Sequence, residues 1–461
     1  MRHGLPSETE MRERLATWTE RYYVAGAALG VLDGGEVRSA AAGVINNVTG
    51  VETTPDTLFQ IGSITKVYTT SLIMQLVDEG RVQLDAPART YLPDLRFAGD
   101  EETIASVTVR QLLTHTSGVD GDYFEGHGRG DDAVARYVAA CAQLPFVFAP
   151  GTMWSYCNAG FVVLGRIVEV LTGMTWGAAL GERLLQPLGL TQTVTLPEDA
   201  LLFRTAAGHA VDPARTITRS PAWGISFSSG PAGATPCASV GDLLSFAAMH
   251  MRGGIAADGG RVLSEAAVRE MQHEQVQLPP QPGEAAAHWG LGWMLFDWGG
   301  RRVIGHDGGT IGQMSSLRIL PEEGFGVALL TNSTPTGGLL ASRVMRWLFG
   351  QTLEIAMPER PRPPEARVEI DLAPYAGVYE RVSARIEVSE SEGRLFARAT
   401  NTGALANLQP PLPPLELHAV DASLFLQHEP YTGTYQPVTF SQFEDGRPRY
   451  LFAGRVARRV G

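Results

Sequence analysis

Two pairs of short apolar runs at opposite ends of the first 340 or so residues constrain the fold most. The first sets residues 27–32 against 36–40 across Asp33-Gly34-Gly35. The second sets residues 315–320 against 325–331 across Pro321-Glu322-Glu323-Gly324. Each reads as a β-hairpin, because a glycine-bearing turn between two apolar runs reverses the chain tightly. The stretch between them is mainly helical in pattern. Helices are expected over residues 8–23, 64–79 (closed by Gly80), 159–171 (closed by Gly173) and 241–251 after a capping Ser239. Terminal strands around a helical middle predict one sheet beside an all-helical lobe, an α+β chain.

The texture changes at Pro358-Glu359-Arg360-Pro361-Arg362-Pro363-Pro364, which reads as a stiff linker. Beyond it come short β-like runs and turns with little helical periodicity. The expected division is therefore residues 1–357, a linker over 358–364, and a small antiparallel β-barrel over 365–461. Tyr375-Ala376-Gly377-Val378-Tyr379 and Tyr431-Thr432-Gly433-Thr434-Tyr435 echo each other inside that last part, too briefly to establish a repeat.

Composition excludes several classes. A net charge of -12 argues against a general nucleic-acid or anionic-membrane binder. The polar opening from Met1 to Arg14 holds no apolar signal core, and no run is long enough to span a bilayer, so a cytoplasmic protein is expected. Cys141, Cys157 and Cys237 lack metal-ligand spacing and imply no disulfide framework. No cofactor and no metal are expected.

One residue stands out chemically. Lysine and arginine total 37, yet Lys66 is the single lysine. Arginine stays protonated in proteins, whereas a lysine can surrender its proton where its surroundings demand it. Ser63 lies three residues ahead, one helical turn away and on the same face, at the expected head of the 64–79 helix. Helix heads offer free N–H groups and positive partial charge to a developing anion. Given one lysine, a serine at that spacing arises by chance about once in fifteen. Tyr156 and Asn158 lie on a loop entering a helix, and His306-Asp307-Gly308-Gly309 ends a β-like run.

In order and spacing, Ser63-x-x-Lys66, Tyr156-x-Asn158 and His306-x-Gly308 resemble the three signature motifs of the serine β-lactamase and penicillin-binding superfamily, class C-like branch. Leu112-Leu113-Thr114-His115-Thr116-Ser117-Gly118 also looks like a segment of that branch, and the resemblance spans residues 15–350 or so. It implies a β-lactamase/transpeptidase-like α/β sandwich with a helical lobe. It also implies a serine hydrolase with Ser63 as acylated nucleophile and Lys66 and Tyr156 as proton-handling partners. Asn158 would hold Lys66 and meet the substrate amide, and backbone N–H groups of Ser63 and Gly309 would form an oxyanion hole. Gly308 would let the substrate approach the strand edge beside His306.

At His306 the β-lactamases carry a lysine, a permanent cation; a histidine is only partly charged at neutral pH. The resemblance therefore points to the esterase and D-aminopeptidase members, with small ester, amide or peptide substrates. A true β-lactamase, or a penicillin-binding ligand sensor that does not turn over, are the alternatives. The C-terminal part resembles the extra, lipocalin-like barrel of such peptidases, which can reach over the active site. A homo-oligomer is compatible with all of this.

Other features have plainer readings. His115 is expected to be a buried, hydrogen-bonding loop residue, and Cys157 a buried thiol. Trp289, Trp293 and Trp298 are expected to fill the core, one of them lining the pocket. Asp122, Glu125, His127, Asp131 and Asp132, set among glycines, are expected in a mobile, solvated loop near the cleft. Gly126-x-Gly128-x-Gly130 has the wrong spacing for a dinucleotide site, and Gly-x-Ser-x-Gly is absent.

Overall fold

The computed structural model describes residues 4–406 and 413–460, so Met1, Arg2 and His3 of the polar opening lie outside the described residues. Helix α1 (Glu8–Arg21) is capped by the Ser7 hydroxyl, which accepts from Glu10 N–H at 3.1 Å. Its buried Met11, Leu15 and Trp18 recur at helical spacing and face the sheet. The first hairpin is β1 (Gly26–Asp33) and β2 (Glu36–Gly43). Helices α2 (Thr65–Asp78), α3 (Asn158–Thr172) and α4 (Val240–Met251) form the middle of the chain. Two short strands, β3 (Val276–Gln277) and β4 (His288–Trp289), precede β5 (Met294–Trp298) and β6 (Arg301–Gly309). The second hairpin is β7 (Met314–Leu320) and β8 (Phe325–Thr331), followed by α5 (Gly337–Leu353).

These eight strands make one antiparallel sheet in the order β2-β1-β8-β7-β6-β5-β4-β3. The distant hairpins pair directly, Leu29 opposite Leu329. Strand β1 is buried almost throughout because both its faces are covered. Ala28 and Leu32 join the core shared with α2, α3 and α4; Ala27, Leu29 and Val31 join the core shared with α1 and α5. Gly30 makes room for α4, since a Cβ there would come within 2.7 Å of Leu244.

The C-terminal strands are β9 (Gly377–Arg381), β10 (Ala384–Ser391), β11 (Arg394–Asn401), β12 (Leu415–Ala419), β13 (Leu424–Glu429), β14 (Thr434–Glu444), β15 (Arg447–Phe452) and β16 (Val456–Arg459). They form a closed antiparallel barrel in which β9 pairs back onto β16. Its interior is filled by Tyr379, Leu395, Phe425 and Phe440. The two tyrosine motifs do different things. Tyr375 and Tyr379 are buried in the barrel, Tyr379 donating to the Tyr375 carbonyl at 2.9 Å. Tyr431 and Tyr435 are half-buried, the first in the turn between β13 and β14 and the second on β14 opposite His428. The barrel docks on the main body through Tyr450, whose hydroxyl donates to the Val147 carbonyl at 3.2 Å, and through Phe452 against Trp154. Among the described residues, no single helix is long and apolar enough to cross a membrane.

Candidate active site

The site begins where the sheet abuts α2. A single 3₁₀ turn, Gly62–Ile64, leads into α2 and leaves Ser63 partly exposed at its head. Gly62 has φ +53, and a Cβ on it would stand 2.7 Å from Gly309 N, so the turn lies flat against the end of β6. A Cβ on Gly308 would fall 2.0 Å from the Ile61 carbonyl oxygen. Glycine at 308 is what lets β6 approach the Ser63 turn. Gly309 faces open space.

Lys66 is fully buried one turn further along. Its Nζ meets Ser63 Oγ at 3.1 Å, Asn158 Oδ1 at 2.8 Å and the Ala232 carbonyl at 2.6 Å. All three acceptors are neutral. Burial therefore drives the Lys66 amine well below the usual lysine range; Arg455 pushes the same way, while Asp122 and Cys157 push back.

Tyr156 lies on the loop before α3, its ring 4.8 Å from Lys66 Nζ and 5.0 Å from the Arg455 guanidinium. Its hydroxyl is buried beside Ser63 without a well-formed hydrogen bond. Burial pushes the phenol up, opposed by the Ser63 hydroxyl and by Arg455. His306 is buried on β6, its Nδ1 2.6 Å from the Asp307 carbonyl oxygen and its Nε2 unpartnered. Burial brings its pKa down to about 3, so the ring is neutral at physiological pH.

Asn158, the first residue of α3, is buried and donates from Nδ2 to Asp122 Oδ1 at 2.7 Å. Asp122 corrects the sequence reading, which placed it in a mobile, solvated loop. Its side chain is 7% exposed, with Arg381 Nη1 at 2.8 Å and Arg455 Nε at 2.7 Å. Burial raises this carboxyl, but the two guanidinium groups outweigh that and hold it below the usual carboxylate range. The solvated character begins further along: Asp131 and Asp132 are exposed, Glu125 and His127 half-buried. Among the described residues no group of three or more His, Cys, Asp or Glu side chains is placed to hold a metal ion.

The plainer expectations for His115, Cys157 and the tryptophans hold. His115 is buried and its Nδ1 accepts from Cys157 N–H at 2.9 Å. Cys157 is a buried thiol, pushed up to about 11 by that burial. The three tryptophans are buried, and Trp289 also packs 5.9 Å from Tyr156 and 5.5 Å from His306.

The structure thus brings Ser63, Lys66, Tyr156, Asn158, His306, Gly308 and Gly309 to one place. Sequence reasoning missed Asp122, Arg381 and Arg455, whose partners lie too far along the chain to leave a local signal. The fold and family define a serine hydrolase. Residues 11–349 match the Beta-lactamase family, and the chain belongs to it. It is 44% identical over 377 residues to penicillin-binding protein 4 of Amycolatopsis lactamdurans, covering 79% of this chain and 97% of that protein. It is 30% identical over 303 residues to the D-aminopeptidase of Brucella anthropi, covering 64% of this chain and 54% of that protein. The crystal structure of SurE aligns at TM-score 0.78 and 29% identity over 99% of this chain and all of SurE; its structure with D-Leu aligns at 0.74.

Proposed function

We propose that Ser63 is a nucleophile that forms an acyl-enzyme with small esters, amides or short peptides. Lys66 and Tyr156 move its proton. The observation that carries this is the buried amine of Lys66, met only by neutral oxygens, one of them Ser63 Oγ. An amine so placed is available as a free base, and it then accepts from the Ser63 hydroxyl instead of donating to it. As the proton leaves, Oγ bonds to the acyl carbon and the carbonyl electron pair moves to oxygen. The N–H groups of Ser63 and Gly309 hold that oxyanion. Its collapse expels the alcohol or amine, which takes the proton back from Lys66 or Tyr156. Water then attacks the acyl ester, assisted by the same groups. Asn158 fixes Lys66 and meets the substrate amide, while His306 and Gly308 line the strand edge.

The neutral His306 supports the esterase and D-peptidase side of the family over β-lactam destruction, because it offers no permanent cation for a drug carboxylate. D-configured residues are the preferred acyl or leaving partners: the related SurE was solved with D-Leu, and another relative is a D-aminopeptidase. Residues 1–357 carry this chemistry, 358–364 link, and the 365–461 barrel docks beside the site through Arg381 and Arg455.

Intact-mass analysis with an alkyl fluorophosphonate tests the reading. One adduct on wild type and none on Ser63→Ala is expected; equal labelling of both overturns it. Chromogenic esters, D- and L-aminoacyl anilides and a cephalosporin then sort the substrate class, with D-anilides or esters turned over fastest.

A further inference from the structure

Lys66, Asn158 and Asp122 form a chain of contacts that leaves the helical lobe and ends in the barrel. The Asn158 amide spans 2.8 Å to Lys66 on one side and 2.7 Å to Asp122 on the other. Asp122 Oδ2 is then met by Arg381, Ser383 and Arg455. Arg381 ends β9, Ser383 lies in the β9–β10 turn, and Arg455 sits in the β15–β16 turn. Main-chain groups fix both tips: Val382 N–H donates to Asp120 Oδ2 at 2.7 Å, and Val456 N–H to Ser155 Oγ at 3.0 Å.

We propose that Asp122 is the positioning residue linking the docked barrel to the Asn158–Lys66 pair, and that Arg381 and Arg455 keep its charge from becoming the counter-ion of Lys66. This rests on the Ser63–Lys66 reading above. A carboxylate one amide away from a buried amine favours the ammonium, because little water screens the attraction. Two guanidinium groups outnumber that carboxylate; Asp120 offsets Arg381 once it ionises above about pH 6, but Arg455 still matches Asp122, and the free amine is favoured instead. The other groups around Lys66 are uncharged at neutral pH. Burial holds Tyr156 and Cys157 protonated and His115 and His306 deprotonated. Asp307 acts on Tyr156 and is tied to Arg318, and Asp120 acts on Arg381 and Asp122. The charges that decide the state of Lys66 are therefore Asp122 and its two barrel partners.

The test is the pH dependence of Ser63 labelling by an alkyl fluorophosphonate. In that reaction Ser63 Oγ bonds to phosphorus, fluoride leaves with its electron pair, and the hydroxyl proton passes to the base. The midpoint of the acid limb reports that base and needs no knowledge of the natural substrate. Arg455→Met is expected to move the midpoint up by about one pH unit, and Asp122→Asn to move it down by about as much. Arg381→Met moves it up by less. Each variant removes one partner of the same ion pair, so simple loosening of the structure would slow both without opposite shifts. Equal-direction shifts, or unmoved midpoints with lower plateaus, overturn the proposal. Melting temperatures are read alongside; if Arg455→Met does not fold, Arg381→Met against Asp122→Asn carries the same sign test. Failure of wild type to label at Ser63 overturns the underlying reading and this proposal with it, a result distinct from either pattern.

Discussion

Two buried cations flank the end of β6, and the molecule treats them oppositely. Arg318 on β7 meets both oxygens of Asp307 at 2.8 Å and lies 4.1 Å from the Phe296 ring centroid. Its charge is matched, and the pair ties neighbouring strands together. Lys66 is buried as deeply, yet no carboxylate touches it. Its nearest negative group, Asp122, is occupied by two arginines. A matched buried pair holds a fold in register, whereas a buried cation left with neutral partners is driven towards its uncharged, basic form.

The comparison can be broken at several points, beginning with the largest effect. Lys66→Arg keeps a cation but removes any free amine, so Ser63 phosphonylation should fall at least about a hundredfold while the fold is retained by circular dichroism. Gly308→Ala pushes β6 off the Ser63 turn, because its Cβ would meet the Ile61 carbonyl oxygen. Labelling should slow about tenfold, read by the same mass assay, with a lower melting temperature. Arg318→Met strands Asp307 and should cost about 2 kcal/mol in denaturant unfolding, less than a wholly buried pair because Asp307 touches solvent. Arg318→Met should leave labelling far closer to wild type than Lys66→Arg does.

The smallest effect concerns Asp120, which burial pushes up to about 6. The folded chain holds that proton at pH values where the unfolded chain has released it. Stability from this residue is therefore present below about pH 4 and lost as pH rises towards 6. Asp120→Asn should flatten that part of the stability profile and raise the melting temperature by about 2 °C at pH 7.

Legibility in the sequence followed the range of the interactions. The hairpins were readable because turn residues and alternating runs act locally: the expected 315–320 and 325–331 strands are Met314–Leu320 and Phe325–Thr331. The helix caps at Ser239 and Gly173 were equally local. Ser63 and Lys66 stood out because a lone lysine one turn from a serine needs no tertiary knowledge. Asp122 did not, since glycines at 126, 128 and 130 give its stretch the local look of a solvated loop. Its burial comes from Arg381, 259 residues later, and from Arg455. The tyrosine echo, too brief to establish a repeat, is none: one copy is buried in the barrel while the other runs from the β13–β14 turn into β14, so matching letters meet different surroundings.

Because Lys66 is the single lysine of the chain, isotope-labelled lysine gives one side-chain resonance that reports this amine alone. Followed by NMR across pH in the full-length protein, that resonance should already carry the chemical shift of a neutral amine near pH 8. A resonance that stays at the ammonium position until pH 10 or above would contradict the account.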